Sequence, residues 1–126
     1  YLGPTITQLL KLGSDDVVGV LLKDLSFTSA DFAFCCVGDN QAVLADDAGS
    51  HWSLLFIDIK ANVSYHLDSL SPYNYENARK VSENLSFKES NVVEISCPRQ
   101  KNDFECGLNV LVNTRIISQG FCKGAA

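Results

Sequence analysis

Residues 51–68 read His51-Trp52-Ser53-Leu54-Leu55-Phe56-Ile57-Asp58-Ile59-Lys60-Ala61-Asn62-Val63-Ser64-Tyr65-His66-Leu67-Asp68. Aromatic and β-branched residues crowd both halves, 52–59 and 63–68, and mark two strands. Only Lys60-Ala61-Asn62 separates them, a length that suits a hairpin, so the two are predicted to pair antiparallel. In such a pair the start of one strand lies beside the end of the next, which places His51 near Asp68.

Working outward from this hairpin, Phe32 to Val37 is a further apolar strand, and it and 52–59 both read as interior strands. Upstream, Pro4 suits a helix first turn, and Ile6, Leu9 and Leu10 recur at helical spacing up to Gly13, predicting a helix over 4–12. Ser14 can cap a second helix carrying Val17, Val18, Leu21 and Leu22, after which Lys23 to Asp31 reads as loop. Downstream, Asn74 to Leu85 places Ala78, Val81 and Leu85 on one stripe, with Glu76 and Lys80 as an i,i+4 pair. A short strand over Val92 to Ser96 precedes Pro98. The last helix is predicted to start at Glu105 or Cys106, with Leu108, Leu111, Val112 and Ile116 as its repeating apolar positions and Gly120 as its stop. Helices, then strands, then a returning helix predict an α+β architecture, with no repeats or linkers.

Composition narrows the function. A chain of 126 residues, 46% hydrophobic, suffices for one domain with a sizeable core. Ten basic against fifteen acidic residues give a net charge of −5, which offers no sequence-wide basic field for nucleic acid. The apolar runs fall far short of the roughly 20 residues of a membrane helix, and no secretion signal opens the chain. Five cysteines, an odd number without a regular framework, predict reduced thiols in an intracellular compartment.

Cysteine acts as a nucleophile only as thiolate, and a helix N-terminus favours the thiolate because unpaired N–H groups face the sulfur. Cys106 occupies such a position, and Gly107 after it removes a side chain where a substrate backbone has to approach. Any single cysteine is more often merely buried. Cys35 and Cys36 lie in an apolar strand, Cys97 sits beside Pro98, Cys122 is near the tail, and all four read as inert. A carboxylate at Asp68 can bond one ring nitrogen of His51 and hold the tautomer whose other nitrogen faces a thiol, although Asp68 before Ser69 also suits a plain turn. His66, in mid-strand, reads as a packing residue. Gln100 stands six residues before Cys106, in a loop from which its amide can reach an oxyanion near the sulfur. A zinc site built from His51, His66 and scattered cysteines lacks any close-spaced ligand pair.

Taken together, three stretches resemble the ubiquitin-like-protein-specific protease family, which includes SUMO proteases and deneddylases. They are Gly49-Ser50-His51-Trp52-Ser53-Leu54-Leu55, His66-Leu67-Asp68-Ser69, and Pro98-Arg99-Gln100-Lys101-Asn102-Asp103-Phe104-Glu105-Cys106-Gly107. The order His, Asp, Gln, Cys is the family's, and the likeness runs from about Tyr1 to Phe121. It implies a papain-like fold with a mainly antiparallel or mixed sheet, flanking helices, and the nucleophile opening the last long helix. It further implies His51 as base, Asp68 as its orienter, Cys106 as nucleophile, Gln100 as oxyanion donor, and Trp52, Gly107 and Asn102 as substrate contacts.

The same resemblance implies a monomeric, cofactor-free and metal-free thiol peptidase of the cytoplasm or nucleus. Its partner is a ubiquitin-like modifier, cleaved after the C-terminal diglycine. The Trp-Ser-Leu-Leu run, the histidine two before the aspartate and the Thr7-Gln8 helix look closest to the deneddylase branch, with SUMO specificity as the alternative. Two departures stand out. Glu105 replaces the family's aspartate before the cysteine, and the family's N-terminal Trp-Leu-Asn-Asp segment has no counterpart, so one wall of the substrate tunnel is expected to be missing. A modifier-binding module with weakened catalysis is the rival expectation.

Overall fold

A computed structural model describes residues 1–25, 30–41, 51–86, 92–100 and 106–124, with 120–124 in backbone only. In chain order these form α1 (Pro4–Leu12), α2 (Asp15–Asp24), β1 (Phe32–Gly38), β2 (Trp52–Asp58), β3 (Val63–Leu67), α3 (Tyr75–Ser86), β4 (Val92–Glu94) and α4 (Cys106–Gly124). Pro4 opens α1, and the Ser14 hydroxyl accepts a bond from the Val17 N–H (3.4 Å) at the start of α2. Helix α2 takes in Lys23 and Asp24, which the sequence assigned to a loop.

The strands form one mixed sheet in the order β1-β2-β3-β4. Strands β1 and β2, and β2 and β3, pair antiparallel, whereas β4 joins β3 in parallel. The β2–β3 turn follows from its residues: the Asp58 carboxylate accepts from the Ala61 N–H (3.1 Å), and Asn62 adopts φ 55°, a left-handed conformation that asparagine tolerates better than most residues. The resulting register sets Leu54 opposite Leu67 and Leu55 opposite His66.

Alternation along the strands divides the core. One face buries Ala33, Cys35, Val37, Leu55 and Ile57 against Leu10, Val18, Ala78, Val81 and Leu85 of the first three helices. The other buries Cys36, Leu54 and Leu67 against Val110 of α4. Because helices cover both faces, β1 reads as a continuous apolar run although it is an edge strand, not the interior strand its composition suggested. Its outer side is bonded by the N-terminal segment, with Leu2 N–H donating to the Phe34 carbonyl (2.6 Å) and Cys36 N–H to the Leu2 carbonyl (3.1 Å).

Three further expectations change. Strand β4 ends at Glu94. The ion pairs on α3 join Arg79 to Glu76 and Glu83, in place of the expected Glu76–Lys80 pair. Helix α4 passes Gly120 and continues to Gly124, since an internal glycine costs only about 1 kcal/mol. Its sheet-facing stripe is Cys106, Val110 and Ile117, while Leu108, Leu111, Val112 and Ile116 stay exposed, Ile116 at 62%. Both sides of this helix carry aliphatic residues, so periodicity alone could not choose between them.

These faces predict opposite costs. Leu55→Ala, which empties a fully buried site, is expected to destabilise the fold by about 2–5 kcal/mol. Ile116→Ser is expected to change stability by less than about 0.5 kcal/mol. Urea unfolding of the two variants checks both values.

Candidate active site

His51 immediately precedes β2 and Asp68 immediately follows β3, so the antiparallel register brings them together at one end of the sheet. The His51 Nε2–Asp68 Oδ1 distance is 2.5 Å, and both side chains are almost wholly buried. Asp68 also accepts from the Leu70 N–H (2.9 Å) at Oδ1 and from the Asn74 N–H (2.8 Å) at Oδ2. Burial pushes this carboxyl up, but the bonds from His51, Leu70 and Asn74 and the nearby imidazole outweigh it and hold the group below 3.8. An ionised Asp68 takes the proton-bearing side of the ring at Nε2. Among the described residues His51 Nδ1 is buried without a hydrogen-bond partner, which leaves it as the nitrogen able to accept a proton.

Two residues missed in the sequence pin the histidine. The Asp39 Oδ1 accepts from the His51 N–H, and the Asp39 N–H donates to the His51 carbonyl, each at 3.2 Å. The Tyr73 hydroxyl donates to Asp39 Oδ2 (3.1 Å), and its ring meets the imidazole edge-on with centroids 5.2 Å apart. Behind them the buried Lys11 ammonium donates to the carbonyls of Gly38 (2.7 Å) and Asn40 (2.6 Å). Burial draws Lys11 down to about 8, against the pull of Asp39 and with a small push from Lys80. Aspartate and tyrosine in turns are too common for sequence to single these out.

Cys106 is the first residue of α4 and is 5% exposed. One turn on, Val110 packs in the same cluster as Cys36, Leu54 and Trp52, and Trp52 is the neighbour of His51. Cys106 therefore opens its helix on the strand pair whose end carries the histidine. The other described thiols are unsuited to ionise. Burial pushes Cys35 to about 12 and Cys36 to about 11, with Cys106 adding to the second, and burial plus the charges of Asp68 and Glu94 raise Cys97. The Cys122 side chain lies outside the described residues.

Gln100 is fixed to the residue after the aspartate: its N–H donates to the Ser69 carbonyl (3.1 Å), and its Oε1 accepts from the Ser69 hydroxyl. These two bonds hold the Gln100 side chain beside the turn that carries Asp68. Asn102 lies outside the described residues, as do 49–50, 101 and 103–105 of the sequence motifs. At Gly107 a side chain would meet nothing within 4 Å among the described residues, so their packing does not require the glycine. Trp52 is half-buried and its indole lies over Gly38, where an added Cβ would come within 2.7 Å of the ring. His66 is fully buried and bonds Ser53 and Glu94. An open cleft of about 430 Å³ runs past Asp68, Ser69, Cys97 and Arg99. Among the described residues no three metal-ligating side chains gather, and no helix is long and apolar enough to cross a membrane.

An imidazole tied at one nitrogen to a carboxylate and unengaged at the other is a base in want of a nucleophile, and a cysteine opens the helix on the neighbouring face. On a mixed α+β sheet this defines the class of cysteine proteases. Comparison with known proteins supplies the group within that class: residues 23–124 match the Ulp1 protease family, C-terminal catalytic domain, and the chain belongs to that family. It is 30% identical to sentrin-specific protease 8 of Homo sapiens, over 98% of this chain and 60% of that protein. It is 32% identical to NEDD8-specific protease 1 of Arabidopsis thaliana, over 82% of this chain and 48% of that one. The chain thus spans about 60% or less of the length of these relatives.

Solved structures agree on the fold. The Xanthomonas campestris effector XopD bound to ubiquitin superposes with a TM-score of 0.75 at 21% identity, covering 94% of this chain and 60% of that one. The SUMO protease Ulp1 with its catalytic cysteine oxidised to a sulfonic acid gives 0.60 at 26% identity, over 86% and 51%.

Two outcomes follow. Asp68 ionises more readily folded than unfolded, so the stability its carboxylate contributes is fully present above pH 3.8 and is lost as pH falls through the lower folded value. The stability difference between the wild type and Asp68→Asn, from urea unfolding, is expected to shrink below pH 3.8. Gly38→Ala is expected to displace the indole of the only tryptophan and shift its fluorescence maximum; an unchanged spectrum in a folded variant contradicts the packing of Trp52 over Gly38.

Proposed function

We propose that this chain is a thiol peptidase that cleaves after the C-terminal diglycine of a ubiquitin-like modifier, the neddylation modifier foremost, in precursors, conjugates or both. The observation that carries the reading is the buried His51–Asp68 pair, set at the end of the strand pair on which the Cys106 helix packs. Relatives named NEDD8-specific proteases in Arabidopsis thaliana and Schizosaccharomyces pombe support the choice of modifier.

In this reading His51 Nδ1 takes the Cys106 proton, and the thiolate attacks the terminal glycine carbonyl. Gln100 and the Cys106 N–H donate to the oxyanion. The imidazolium then protonates the departing amine, and water, deprotonated by His51, hydrolyses the thioester. Trp52 covers the narrow diglycine tail, with Gly107 and Asn102 alongside it. The enzyme works as a monomer in the cytoplasm or nucleus, without metal, cofactor or nucleic acid.

The test is turnover of a fluorogenic neddylation-modifier substrate, run beside sumoylated and ubiquitinated ones. Cys106→Ala is expected to lower kcat by at least about 10³-fold and to abolish labelling by a modifier-derived electrophile; full labelling of that variant eliminates Cys106. Likeness to the SUMO protease Ulp1 favours SUMO as the second reading, which predominant cleavage of the sumoylated substrate establishes. Affinity for a modifier without any release marks a binding module.

A further inference from the structure

Asp68 is held by more than the histidine it serves. Its Oδ2 accepts from the Asn74 backbone N–H (2.8 Å), and Asn74 is itself fully buried. The Asn74 Nδ2 donates to the Val37 carbonyl (2.9 Å) and to the Ser53 Oγ (2.9 Å), and its Oδ1 accepts from the Asn77 amide (2.7 Å). Ser53 Oγ lies 2.8 Å from His66 Nε2, and His66 Nδ1 bonds the Glu94 carboxylate. The second Glu94 oxygen accepts from the Ser71 hydroxyl (3.1 Å), which belongs to the same 68–74 turn as Asp68 and Asn74.

Donors and acceptors along this chain match in one direction. Asn74 gives a proton to Ser53, Ser53 gives its hydroxyl proton to His66 Nε2, and His66 gives its Nδ1 proton to Glu94. A doubly protonated His66 would instead give Nε2–H to Ser53 and force the Ser53 hydroxyl to seek another acceptor. The neutral ring therefore completes the set, and the turn is clamped at Ser71 and at Asn74 from strands β1, β2 and β4.

We propose that Asn74, Ser53, His66 and Glu94 form a relay of positioning residues that fixes the Asp68 carboxylate, and through it the His51 tautomer, for the acyl transfer. This rests on the peptidase reading for its kinetic consequence alone; the effect on the imidazole stands independently. With two histidines in the chain, ring ¹⁵N spectra of histidine-labelled protein report each ring separately.

In the wild type His51 is expected to carry its proton on Nε2 as a single tautomer. In Asn74→Ala and Ser53→Ala that signal is expected to broaden or split between tautomers. Turnover is expected to fall by about 10- to 100-fold in kcat, with KM within about twofold, as misplacement of a reacting group predicts. Ser82→Ala, which removes a buried hydroxyl bond to Ser64 (2.7 Å) at the far end of β3, is the control for mere loss of packing and is expected to keep kcat and the His51 signal. If Asn74→Ala does not fold, Ser53→Ala, which deletes one hydroxyl, decides alone. An unchanged His51 signal, or an unchanged kcat, in a folded relay variant overturns the proposal. So does an equal change in Ser82→Ala. A wild type without turnover refutes the peptidase reading instead, and the His51 signal then decides the relay.

Discussion

The antiparallel pairing of β2 with β3 is the constraint from which the site follows. Residues 51 and 68 are separated by the whole hairpin in sequence, yet they are neighbours because the short turn over 59–62 fixes the register. A slip of one residue would turn every side chain of a strand to the opposite face. Asp58 and Asn62, which shape that turn, and Leu54 and Leu55, which bury its two faces, therefore set the histidine–carboxylate distance as surely as the pair itself does.

Burying a carboxylate is costly unless its oxygens are bonded. Asp68 meets that demand with two backbone N–H groups and one imidazole, so the site keeps a full negative charge almost out of water. Burial, with the same charge adding to it, raises the Cys97 thiol, and burial raises Cys35 and Cys36. Chemistry is thus confined by default. Of the four cysteines whose side chains are described, only Cys106 stands at a helix N-terminus.

Much of this was legible in the sequence because local signals and global geometry agreed there. The hairpin, the helices over 4–12 and 74–85, and the closeness of His51 to Asp68 follow from strand composition, caps and turn length. What escaped was information that only packing supplies. Apolar residues on both sides of α4 gave no indication that Val110 faces the sheet and Ile116 does not. The run Phe32–Val37 looked interior because it is apolar throughout, yet it lies at the edge of the sheet. His66 read as a packing residue and is fully buried, but its bonds to Ser53 and Glu94 depend on partners 13 and 28 residues away. Asp39 and Tyr73 carry no signal beyond ordinary turn composition.

The buried Lys11 ties the first helix to the chemistry. Its ammonium holds the carbonyls on either side of Asp39, and Asp39 grips the backbone of His51 from both directions. Helix α1 and the histidine therefore belong to one cooperative unit: any local opening that frays the helix near Lys11 loosens the imidazole with it, even while the sheet stays paired. The stability of this surface helix sets a floor on the fraction of molecules with a disordered base.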